Sequence, residues 1–137
     1  MRIIRERGIE DRIRFTGFRT DIGDLIQSLD IIVYPSIAPE SFGLSILEGM
    51  FLGKPVIASK IGGVPEIIED GVTGILIEPN HPEQIADRIL YLFRNEEICD
   101  RIGQTAREVV RKKFPMGNYV GAMENAFREW ALREVNH

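Results

Sequence analysis

A chain of 137 residues, 44% hydrophobic and 28% charged, has the size and mixture of a single globular domain with one core. Its formal charge of −4 removes any general attraction to a nucleic-acid backbone, and Arg111-Lys112-Lys113 is the one basic block that stands out. A single cysteine, Cys99, excludes both an internal disulfide and a cysteine-rich metal site, which fits a reducing, cytoplasmic compartment.

The N-terminal Met1-Arg2-Ile3-Ile4-Arg5-Glu6-Arg7 is interrupted by charge where a signal peptide needs a continuous apolar stretch. No later run approaches the roughly 18 apolar residues of a spanning helix. The chain reads as soluble, or peripheral to a membrane. Four short runs, rich in β-branched residues and bounded by Gly, Pro, Ser or Asp, predict buried strands over 13–18, 30–34, 55–59 and 74–77. The first alternates apolar and polar residues. The next two are nearly continuous, as in a sheet covered on both faces. Between the strands lie stripes at helical spacing: Ile22, Leu25, Ile26 and Leu29, then Leu44, Leu47, Met50 and Phe51. Alternating strand and helix is the pattern of a parallel, Rossmann-like α/β sheet with helices on both faces.

Beyond residue 77 the pattern turns wholly helical. Pro82 suits a first helical position, and Ile85, Ile89, Leu92 and Phe93 follow it on one face. Ile98, Ile102, Ala106, Val109 and Val110 form a second stripe, and Tyr119, Met123, Ala126, Phe127 and Trp130 a third. Such stripes read as core; the alternative for the last is docking on something outside this chain.

Open parallel sheets collect ligands beyond the carboxyl ends of their strands. Four unusual stretches fall there: Gly17-Phe18-Arg19, the loop from Pro35 to Gly43, Lys60 to Glu66, and Glu78-Pro79-Asn80. With a helix starting near Gly43, the amides of Phe42, Gly43 and Leu44 form the positive end of its dipole and suit a phosphate. Glu48, little more than a turn inside, is an acceptor for a sugar's vicinal hydroxyls. Glu40, in the loop before the helix, is placed to hold a second polyhydroxylated group across the phosphates. The plain alternative is that Glu40 is a solvated loop residue favouring the helix N-terminus, and Glu48 an exposed helical one. Gly62-Gly63 reads as a tight strand-to-helix turn as readily as a phosphate cradle. Ser36 reads as a turn hydroxyl, Lys54 and Lys60 as solvated, His81 as a helix start and His137 as a terminal residue. The sequence offers no Ser/His/Asp set, zinc spacing or Gly-x-Gly-x-x-Gly.

Glu40-Ser41-Phe42-Gly43 followed by Glu48-Gly49-Met50, with seven residues between the glutamates, resembles the E-x7-E motif of retaining GT-B glycosyltransferases, especially the group 1, or GT4, family. Residues 14–18, 30–36, 53–58, 62–68 and 70–76 resemble that family's donor-binding domain in order, over about residues 8 to 113. The resemblance implies a UDP-, GDP- or ADP-sugar donor and transfer of its sugar to a hydroxyl with retained configuration, without a metal or a separate cofactor. Carried onto this chain, it gives Glu40 contact with the donor sugar and Glu48 the ribose hydroxyls. Phe42, Gly43 and Leu44 would contact diphosphate or sugar, and Gly17 and Phe18 would border the base.

The same resemblance makes residues 1–137 one incomplete donor-binding domain. The family's N-terminal acceptor domain, and two further donor-domain strands with a basic diphosphate clamp, are not in this sequence. By itself the chain is therefore expected to be inactive. In the strand order 3-2-1-4-5-6 those two strands lie between the first strand predicted here and the other three. Either the first two predicted strands pair directly, or an interior edge stays open to another segment, a partner chain or self-association. Two further readings stand beside the transferase fragment: one subunit of a split transferase, and a non-catalytic nucleotide-sugar-binding or assembly module.

Overall fold

A computed structural model describes residues 2–38 and 43–114 of the chain. Helix α1 (Arg2–Glu6) leads through a single 3-10 turn at Glu10–Arg12 to α2 (Ile22–Gln27). There follow β1 (Ile32–Tyr34), α3 (Leu44–Phe51), β2 (Val56–Ser59), the single turn α4 (Val64–Ile67) and β3 (Ile75–Ile77). The described chain closes with α5 (Pro82–Arg94) and α6 (Glu96–Lys113). The predicted stripe from Tyr119 to Trp130 lies outside the described residues, as do Glu40 and Phe42.

The sheet is parallel, in the order β1-β2-β3, with Val33 opposite Ile57 and Ile57 opposite Ile75. Its middle strand is buried at every position, which is why 56–59 reads as an unbroken apolar run. Successive side chains point to opposite faces. Val56 and Ala58 pack with Ile46 and Met50 of α3, Val64 and Ile67 of α4, and Ala106 and Val110 of α6. Ile57 packs on the other side with Ile75, Ile77, Leu92 and Ile102. Burying an aliphatic side chain as fully as Ile57 or Leu92 contributes about 1.5–3 kcal/mol, so these two layers hold the fold together.

Helix α6 serves both layers, Ile102 on one and Ala106 with Val110 on the other. It changes face at Gly103, where the backbone comes so close to the turn after α3 that a Cβ would lie 2.2 Å from the Gly53 carbonyl oxygen.

The strand predicted over 13–18 does not form. Every residue from 11 to 20 is exposed, Phe15 at 67% and Phe18 at 95%. Ile13 at its start is extended (φ −121, ψ 128), but Gly17 is left-handed (φ 62), and a strand also needs a neighbour for its amides and carbonyls. Segment 13–18 does not pair with β1, whose one ladder among the described residues runs to β2. Among the described residues no strand pairs with the outer edge of β1.

Candidate functional site

The geometry of the E-x7-E stretch starts at Gly43. Its backbone is left-handed (φ 59, ψ 50), a conformation that costs a residue with a side chain about 1–2 kcal/mol. A Cβ there would also press to 3.0 Å from Ile46 Cδ1. The Gly43 carbonyl accepts the amides of Ile46 (2.9 Å) and Leu47 (3.3 Å), and Gly43, the residue at the N-cap, has no side chain to cap the helix. Helix α3 buries Ile46, Gly49 and Met50 and exposes Leu44, Ser45 and Glu48. Leu44 and Glu48 are four residues apart, so the carboxylate sits one turn beyond the helix start on the same open face.

Gly49 sets the height of that helix. A Cβ there would come within 2.4 Å of Ile32 Cδ1 and 3.4 Å of Val56 Cγ2, so α3 lies directly on β1 and β2. A glycine inside a helix is less favourable than alanine by about 1 kcal/mol, and that cost is the sequence signal for such a contact. It was available at Gly49 and at Gly103, and motif spacing alone does not read it.

Of the predicted site residues that are described, Gly43, Leu44 and Glu48 come together at the start of α3. Gly17 and Phe18 stand apart on the exposed turn that leads into α2. A groove of about 320 Å³ runs between α2 and α3, with Ile22, Gly23 and Ile26 on one wall and Leu47, Glu48 and Phe51 on the other; neither Gly17 nor Phe18 lines it. A hollow of about 490 Å³ lies at the opposite, amino end of the strands, around Asp30, Lys54, Glu96 and Asp100. It holds Cys99, whose thiol pKa is pushed up by burial and then by Asp100, Asp30 and Glu96, leaving a thiol rather than a thiolate nucleophile.

Gly62-Gly63 forms the tight turn from β2 into α4, closed by the Val64 amide on the Ile61 carbonyl at 3.1 Å. Arg19 binds Asp21 through both carboxylate oxygens, its Nε donating to Oδ1 at 2.8 Å. That bond lowers the Asp21 pKa, and the aspartate raises that of Arg19. Because the folded-state carboxyl is the stronger acid, the pair favours the fold above the usual aspartate pKa, and the contribution fades as pH falls through the folded value. Both groups are solvent-screened, so the effect on stability is small. Arg19→Ala should raise the Asp21 pKa in a carboxyl NMR titration; an unchanged value would mean that the pair does not persist in solution.

Among the described residues no group of three or more His, Cys, Asp or Glu is arranged to hold a metal ion, and no helix is long and apolar enough to cross a membrane.

A family model described as glycosyl transferases group 1 matches residues 2–109. The N-acetyl-alpha-D-glucosaminyl L-malate synthase of Bacillus anthracis is 34% identical over 93% of this chain and 33% of its own length. The alpha-D-kanosaminyltransferase of Streptomyces kanamyceticus is 31% identical over 96% of this chain and 34% of its own. Among solved structures, Anabaena HepE in complex with UDP-glucose superposes with a TM-score of 0.90 at 32% identity, over 93% of this chain and 35% of that one. The chain thus spans about a third of the length of the relatives it matches.

Proposed function

Because this chain belongs to the group 1 glycosyl transferases, we propose that it forms part of the donor-binding half of a retaining, GT4-type enzyme that transfers a sugar from a nucleotide-diphosphate-sugar to an acceptor hydroxyl. The observation that carries this is the start of α3, where a left-handed Gly43 stands at the N-cap without a side chain and Glu48 lies one turn in on the same face as the exposed Leu44. Complexes of the 32% identical HepE with UDP and with UDP-glucose support it.

In this reading Glu48 accepts hydrogen bonds from the ribose hydroxyls. The amides of Gly43 and Leu44, with that of Phe42, hold the diphosphate, and Glu40 holds the donor sugar. Gly17 and Phe18 border the base. Helix amides stabilise the charge that gathers on the departing diphosphate, without a metal or a cofactor. As the bond from the anomeric carbon to the phosphate oxygen breaks, the acceptor oxygen bonds that carbon from the same face and passes its proton to the leaving diphosphate. The setting is cytoplasmic, at most peripheral to a membrane.

Calorimetric titration with UDP, GDP and ADP tests the reading. Binding of one of the three supports it and names the base. No binding to any of them by a folded chain would overturn the idea that this part holds donor by itself.

The outer edge of β1, with which no described strand pairs, and the exposed Phe15 and Phe18 support a second element of the proposal. Further strands of such a domain, on a longer protein or a partner chain, or a second copy of this chain, cover that edge. The 137-residue chain should accordingly sediment faster as its concentration rises, and Phe15→Ser with Phe18→Ser should weaken the association. A concentration-independent monomer melting cooperatively above about 60 °C, the upper end for ordinary domains, would refute this.

A further inference from the structure

We propose that the apolar groove between α2 and α3 is the docking site of this chain's own C-terminal segment, residues 115–137, which packs into it along the stripe Tyr119, Met123, Phe127 and Trp130. Seven of the nine residues lining the groove are aliphatic or aromatic, and Glu48 is the one charged residue among them. Ile26 and Val110 are buried and form its floor; Ile22, Phe51 and Phe114, at 45%, 45% and 39% exposure, form its rim. A concave apolar surface of this kind gains free energy when another apolar face covers it.

The choice of occupant rests first on where the described chain ends. Phe114, the last described residue, lines the groove itself, as does Val110 one turn earlier on α6. Phe114 has left the helix (φ −125, ψ 56), which suits a residue that precedes a proline. Helix α6 therefore stops at the groove, and the 23 residues 115–137 set out from its rim. No spacer separates them from it, so a tethered segment competes at an effective concentration on the order of millimolar against any free partner.

The pattern of the segment is the second reason. Tyr119, Met123, Ala126, Phe127 and Trp130 recur at helical spacing, which gathers the large apolar side chains on one face and leaves Glu124, Asn125, Arg128 and Glu129 for solvent. A helix over residues 119–130 would be about 18 Å long, against about 12 Å for the eight residues of α3, so the stripe covers the length of that wall. The lining on α3 runs from Leu47 to Leu52 and includes neither Gly43 nor Leu44. A segment docked there passes beside Glu48 and leaves the start of α3 open.

Trp130 is the one tryptophan of the chain, so its fluorescence reports the contact. In the 137-residue protein it should be shielded from acrylamide, and Ile22→Ser on one wall or Phe51→Ser on the other should raise the quenching constant severalfold. Both side chains are exposed and lie outside the two core layers, so circular dichroism should show the helices retained. Without any variant, nuclear Overhauser effects should join the rings of Phe127 or Trp130 to methyl groups of Ile22, Ile26 or Leu47. A tryptophan as accessible in wild type as in the variants, equal shielding in all three proteins, or the absence of those Overhauser effects would overturn the docking. Shielding should also survive dilution; its loss would give the groove to the segment of a second copy and overturn the assignment to the chain's own.

Discussion

Replacing Glu48 by alanine should weaken binding of the cognate nucleoside diphosphate about 10- to 100-fold and leave the melting temperature unchanged. Hydrogen bonds from neutral hydroxyls to a carboxylate contribute about 1.5–3 kcal/mol, and each 1.4 kcal/mol is a factor of ten in affinity. The fold has little to lose. Glu48 is exposed on α3, contributes to neither core layer, and alanine is a better helix former. Glu48→Gln, which keeps one acceptor oxygen but not the charge, should fall between wild type and alanine. Calorimetry on the three proteins decides the matter: equal affinity across them would make Glu48 a solvated helical residue and favour a non-catalytic scaffold. The neighbouring Gly49 cannot stand in for this test, since a side chain there meets Ile32 and would move the helix itself.

Gly103→Ala should be the most damaging methyl group in the described chain, lowering stability by about 2 kcal/mol and the melting temperature by roughly 10 °C. Two effects compete. Alanine inside a helix is favoured over glycine by about 1 kcal/mol. Against that, the new Cβ would lie 2.2 Å from the Gly53 oxygen, 3.1 Å from its carbon and 3.4 Å from Pro55 Cδ. Backbone atoms cannot step aside as the end of a side chain can. The turn is also tied down, by the Gly53 amide on the Met50 carbonyl and the Lys54 amide on the Gly49 carbonyl, both at 3.0 Å. Relief therefore requires α6 to move away from the sheet, loosening Ile102 on one face and Ala106 and Val110 on the other. Gly23→Ala is the control. Gly23 is also helical, but a Cβ there meets nothing within 4 Å, so the substitution should be neutral or slightly stabilising. Thermal melts followed by circular dichroism give the comparison, and a Gly103→Ala protein that melts at or above wild type would show that α6 does not rest on Gly53.

Much of the architecture was legible from periodicity. The unbroken apolar run at 56–59 is the central strand, Pro82 opens α5, and the stripe from Ile98 to Val110 lies on one continuous helix. These are local properties: a helix closes its hydrogen bonds within its own segment, and a strand buried on both faces carries apolar residues at every position. The 13–18 segment shows where that reasoning stops. It has the composition of a strand and starts extended at Ile13, but Gly17 is left-handed, its hydrogen-bonding partner is not local, and β1 pairs with β2 instead.

The same division runs through the site. Amino-acid order alone suggested a helix starting near Gly43 with a carboxylate one turn inside, because helical geometry places residues 44 and 48 on one face; the left-handed backbone of Gly43 came from the structure. Only the tertiary structure decided that Glu48 faces α2 across a groove, that Ser59 is buried at the end of β2, and that Gly103 lets α6 pass from one layer to the other. Each of those facts depends on atoms brought together from distant positions in the chain, and packing at van der Waals distance has no signature in local spacing.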